Sequence, residues 1–137
     1  MHASVLVVDD DFIDSRTLER VLKKANINCC VASDGKEALE ILRGKHPDKL
    51  IREPCIVMLD IGMPRMGGIE MLKELREDPE LKDTIVFMFT ASVSSNDIKS
   101  AYAEGISGFI SKYNMDSRFE KVLEFLAMYD ETIEFPE

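Results

Sequence analysis

Residues 55–68 read CIVMLDIGMPRMGG, and the fold turns on them. The first five residues, 55–59, are apolar and uncharged, as in a strand buried on both faces of a sheet. The run stops at one carboxylate, Asp60. Gly62, Pro64, Gly67 and Gly68 then mark a loop rather than more strand. A charged group at the carboxyl end of a buried strand, followed by a Gly/Pro loop, is where open α/β sheets place their chemistry. Taken alone, Asp60 could equally start a turn or cap a helix, both common roles for aspartate. Its partners must come from elsewhere in the chain.

Working outward, the pattern repeats. Residues 4–8 (SVLVV) form a short strand ending in Asp9, Asp10 and Asp11, and apolar residues then recur at helical spacing over 13–25. A second strand spans 28–32. Ser33, Asp34 and Gly35 start a second helix that Gly44 ends. The ten residues 45–54 make a long connection, with room for a helical extension. A third helix covers 68–77 and stops before Pro79. Residues 85–89 form a fourth strand closed by Thr90. A helix starts in the cap-rich 94–97 segment, a fifth strand covers 108–111 and precedes Lys112, and a last helix runs from about Phe119 to Tyr129. Strands alternating with helices require a parallel sheet with helices on both faces and right-handed crossovers.

At 137 residues the chain fits one domain, 1–137, with an acidic end at 130–137 that carries Ile133 and Phe135. A net charge of −9 argues against attraction to nucleic acid or anionic lipid. No apolar run is long enough to span a bilayer, and MHASVLVVDD does not read as a signal peptide. Cys29, Cys30 and Cys55 lack the spacing of a zinc site or redox pair. They read as buried, reduced thiols in a cytoplasmic protein. The methionines fall in apolar positions, as core filling, and His2 and His46 have no partners that suggest chemistry.

In a parallel sheet the carboxyl ends of all strands share one edge. Asp9 and Asp10, Asp60, Thr90 and Lys112 all stand at that edge. With the order 2-1-3-4-5, strands one and three are neighbours, and Asp9, Asp10 and Asp60 converge at the switch point. Two carboxylates about 4 Å apart repel by roughly 4 kcal/mol at an effective dielectric of 20, so three need a compensating charge. An all-oxygen set suits Mg²⁺. Lys112 adds an ammonium group and Thr90 a hydroxyl, which together fit a phosphoryl site. Asp60 is then the carboxylate nucleophile, forming an acyl phosphate.

Along essentially its whole length the chain resembles the receiver domains of two-component response regulators. The matching stretches are VVDD (7–10), LDIGMP (59–64), MGG (66–68), TAS (90–92) and SK (111–112). The resemblance implies a doubly wound (βα)5 flavodoxin-like fold with the order 2-1-3-4-5. It implies that Asp60 accepts a phosphoryl group from a histidine kinase or a histidine phosphotransfer protein. Asp10 and Asp60 bind Mg²⁺, Asp9 assists through water, and the backbone carbonyl of Gly62 contributes. Thr90 and Lys112 contact the phosphoryl oxygens. Phe109 occupies the place of a switch aromatic, although an aromatic in a strand also suits plain core packing.

The chain departs from the family pattern at two places. Tyr113 follows Lys112 where a cis proline is usual, so the sequence predicts either a trans bond with a rearranged loop or a cis bond costing about 2.5–4 kcal/mol. Gly67 stands where an aspartate is common.

The expected function is a stand-alone switch, not an enzyme. It would signal through the face of the fourth helix, fifth strand and fifth helix to a downstream protein or a second copy. Three rivals remain. An aspartyl phosphatase would want a second acid at the place of Gly62. A flavodoxin-type module would want a hydroxyl- and glycine-rich loop in place of DDDFID. A receiver-like interaction domain would do without phosphorylation.

Overall fold

The apolar strand residues alternate in direction, and that alternation builds two cores. In a computed structural model, which describes residues 2–91, 93–116 and 119–136, five strands and five helices alternate. They are β1 (Ser4–Val8), α1 (Phe12–Lys24), β2 (Cys29–Ala32), α2 (Gly35–Leu42), β3 (Cys55–Leu59), α3 (Gly68–Glu77), β4 (Ile85–Thr90), α4 (Ser95–Ala103), β5 (Gly108–Ser111) and α5 (Glu120–Thr132). The strands pair in parallel in the order β2-β1-β3-β4-β5, as the family resemblance implies. Leu6, Val8, Val57, Leu59, Val86 and Met88 point to one face and pack with Leu39, Met71, Leu72 and Leu75 of α2 and α3. Val5, Val7, Ile56, Met58, Phe87 and Phe89 point to the other and pack with Leu18 and Leu22 of α1 and Val122 and Leu126 of α5. Period-two alternation therefore divides each central strand between the two layers.

Three helices begin on side-chain caps. Asp11 accepts hydrogen bonds from the backbone of Ile13 and Asp14, Asp34 from that of Glu37, and Ser94 from that of Asp97. Each satisfies backbone N–H groups that lack partners within the helix. The register Val8↔Leu59, with Asp60 N donating to Val8 O at 2.9 Å, sets the ends of β1 and β3 side by side.

Three details differ from the expectation. α5 continues through Asp130 to Thr132, so the acidic end begins at Ile133; Asp130 is buried because its carboxylate accepts hydrogen bonds from the backbone of His2 and Ala3, both at 2.8 Å. Phe135 packs on Tyr129 with ring centroids 6.5 Å apart. Residues 45–54 form no helix. Instead His46 and Lys49 both reach Glu37 of α2, and Lys49 Nζ also donates to Val31 O, so the segment lies along the edge strand β2. The three cysteines are free but half-buried rather than fully buried.

Candidate functional site

The site lies where β1 and β3 end. Asp9, Asp10 and Asp60 can each offer one carboxylate oxygen such that all three lie within 4.8 Å of one another. Asp9 and Asp60 are buried and Asp10 is exposed, so the cluster has two inner walls and an open side. The backbone fixes both inner acids. Asp9 N donates to Ala32 O at 3.0 Å, and Asp60 Oδ1 accepts from Ile61 N at 2.9 Å. Asp9 Oδ1 accepts from Asp11 N at 2.9 Å, which ties the cluster to the first turn of α1.

Lys112 crosses from the end of β5 into this cluster. Its Nζ donates to Asp9 Oδ2 at 2.6 Å and to Asp14 Oδ2 at 2.9 Å, and it stands 5.6 Å from the centroid of the Phe89 ring. Burial works against the charged ammonium, but the hydrogen bonds to Asp9 and Asp14 outweigh it and raise Lys112 above the usual lysine range. Burial likewise lifts the Asp9 carboxyl to about 6; repulsion from Asp60 adds to the rise, and Lys112 and the Asp11 N–H oppose it. An acid group held this way is short of positive charge. The donor set, three carboxylates converging at a partly open edge, fits a hard divalent cation.

Thr90 is fully buried at the end of β4, level with Ser111 in the β4–β5 register. Phe109 is half-buried against the α2–α3 core, and its N–H donates to the Tyr102 hydroxyl at 3.3 Å. Gly62 lies in the loop after β3, where an added Cβ would meet nothing; only its backbone is of interest to a ligand. Gly68 differs, since a Cβ there would fall 2.1 Å from Asp60 O. This close approach lets α3 start directly against the Asp60 backbone. Ser92, the last residue of the TAS stretch, lies outside the described residues.

The Lys112–Tyr113 bond is not cis; the cis bond among the described residues is Glu53–Pro54. A 3-10 turn, Lys112–Asn114, follows β5 instead, capped by the Ser111 hydroxyl on Tyr113 N, and the Tyr113 ring is exposed. Lys112 still reaches the acids across this rearranged loop.

Two contributors escaped the sequence reading. Asp14 shares Lys112. Its signal was an acid on the first turn of α1, three residues past the Asp11 cap. Arg65 clamps Asp34 through Nε and Nη2, and Gly35 N donates to Met66 O at 3.1 Å, so the loop after β3 is sewn to the start of α2.

Comparisons with known proteins agree with this fold. The profile of the response regulator receiver domain matches residues 5–124. The chain is 27% identical over 135 residues to response regulator Rcp1 of Synechocystis sp., covering 96% of this chain and 92% of Rcp1. The crystal structure of the Mn²⁺-bound form of Rcp1 superposes with a TM-score of 0.84 at 26% identity, over 98% of this chain and 99% of that one. The CheX–CheY–BeF3–Mg²⁺ complex of Borrelia burgdorferi matches with a TM-score of 0.73 at 30% identity, over 93% and 88% of the two chains. The chain belongs to the response regulator receiver family, the signalling domains of two-component systems. Its fold is the CheY-like flavodoxin fold. No helix among the described residues is long and apolar enough to cross a membrane.

Proposed function

We propose that residues 1–137 form one phosphoacceptor switch in which Asp60 takes a phosphoryl group from a phosphohistidine on a histidine kinase or phosphotransfer protein. The observation that carries this reading is the convergence of Asp9, Asp10 and Asp60 within 4.8 Å, with the Lys112 ammonium 2.6 Å from Asp9. A Asp60 carboxylate oxygen attacks phosphorus. A P–O bond forms, the P–N bond breaks, and its electron pair leaves with the imidazole. Asp9, Asp10, Asp60 and the Gly62 carbonyl would hold Mg²⁺, which neutralises the crowded acids and the incoming phosphoryl oxygens. That choice of metal draws support from the donor chemistry and from the Mn²⁺ and Mg²⁺ in the named relatives. Lys112 and Thr90 supply donors to the phosphoryl oxygens where charge builds up.

Phosphorylation adds about −1.5 to −2 charge and new acceptor oxygens at Asp60. Thr90 then shifts toward the phosphoryl group, and Phe109 turns inward. The face of α4, β5 and α5 changes with them. Exposed Tyr102, Phe125 and Met128 on α4 and α5 support a protein partner or a second copy at that face. Outside substrates are not turned over, and the compartment that goes with this reading is the cytoplasm. The test is labelling by a small phosphodonor. Wild type labels only with Mg²⁺ and Asp60→Asn does not label; equal labelling of Asp60→Asn would overturn the assignment.

A further inference from the structure

The ammonium that should greet a phosphoryl group is engaged elsewhere. Lys112 donates to Asp9 and to Asp14, and among the described residues no hydrogen bond joins it to Asp60. Its side chain is 9% exposed, so the two carboxylates, rather than water, satisfy it. Asp14 is set firmly in place. It sits in the first turn of α1, its backbone N–H is capped by Asp11, and Asp11 N is in turn held by Asp9. Asp9 belongs to the acid cluster; Asp14 does not.

From this arrangement we propose that Asp14 is a positioning residue that withholds Lys112 from Asp60 in the unphosphorylated chain. The inference rests on the phosphoacceptor reading above and adds a residue to it. Asp14 acts through Lys112 and touches no reacting atom. When the acid cluster takes up a cation, Asp9 is drawn into that task, and Asp14 remains as the counter-charge for the ammonium. A phosphoryl group on Asp60 competes with Asp14 for the Lys112 ammonium. Phosphoryl binding therefore works against this ion pair, and the strength of the pair tunes how readily the switch turns on.

The test is the affinity of the full chain for beryllofluoride with Mg²⁺, followed by ¹⁹F NMR because the chain has no tryptophan to report binding. Asp14→Asn is nearly isosteric and its side chain is partly exposed, so the fold is retained. It binds beryllofluoride about fivefold more tightly than wild type, the upper worth of a partly exposed ion pair. Asp14→Glu, which keeps the charge, stays closer to wild type. In a Lys112→Met background Asp14→Asn has no effect. A second readout needs no phosphoryl mimic: the Lys112 ammonium protons exchange faster with water in Asp14→Asn. Unchanged or weaker beryllofluoride binding by Asp14→Asn, or a gain that persists without Lys112, would overturn the role of Asp14 while leaving the phosphoacceptor reading intact. Failure of wild type to bind the mimic would overturn that reading, and the inference with it.

Discussion

Asp130 shows how much one buried charge can hold. Its carboxylate binds the backbone N–H groups of His2 and Ala3, 127 residues away for Ala3, and pins β1 to α5. Burial alone would raise its carboxyl, but the two backbone donors more than offset that and hold it below the usual carboxylate range. The sign follows from the lowered value. The stabilisation is complete above the unfolded carboxylate range of about 3.9 and is lost as pH falls through the lower folded value. Asp130→Ala costs about 2 kcal/mol in a denaturant melt at neutral pH, since buried N–H groups lose a charged acceptor. The gap between mutant and wild type closes in acid. Cys55 makes a second residue-level prediction. Burial pushes its thiol up to about 12, so a thiol reagent at neutral pH leaves it unmodified until the protein is unfolded. The apolar run 55–59 already marked Cys55 as a buried thiol, but the environment of Asp130 was not legible in the sequence. Asp130 looked like part of an acidic tail because its partners lie at the opposite end of the chain.

At the scale of elements, the strand ends and helix caps carried the information. The bounds of β1, β3, α3 and β5 agree with the apolar runs and the Gly/Pro punctuation around them. α5 is longer than its apolar spacing indicated, because Asp130 turns inward to a partner that periodicity does not describe. At the junction of β3 and α3, Gly68 lies close against the Asp60 backbone. Gly68→Ala would drive a methyl group to 2.1 Å from Asp60 O, and the backbone there has no side-chain slack to absorb it. The expected loss is about 1–3 kcal/mol by denaturant melt, with weakened divalent-ion binding, because the Asp60 backbone itself must move. The 3-10 turn after β5 makes the complementary point. Tyr113 removes the usual proline, yet Lys112 still stands 2.6 Å from Asp9.

At the scale of the molecule, the sheet order brings distant residues to one edge, and much of the acid site could be read in advance for that reason. Asp9, Asp10 and Asp60 meet because parallel strands one and three are adjacent, a property of topology. Asp14 and Arg65 were not readable in this way. Their partners, Lys112 and Asp34, are set by side-chain reach across 98 and 31 residues, which no local pattern encodes. The account depends on the three carboxylates serving one cation, and calorimetric titration of the chain with Mg²⁺ tests this most directly. One ion binds per chain, and Asp10→Asn or Asp60→Asn abolishes the heat of binding. Titration curves for both variants that overlay the wild type, or no binding by the wild type, would contradict it.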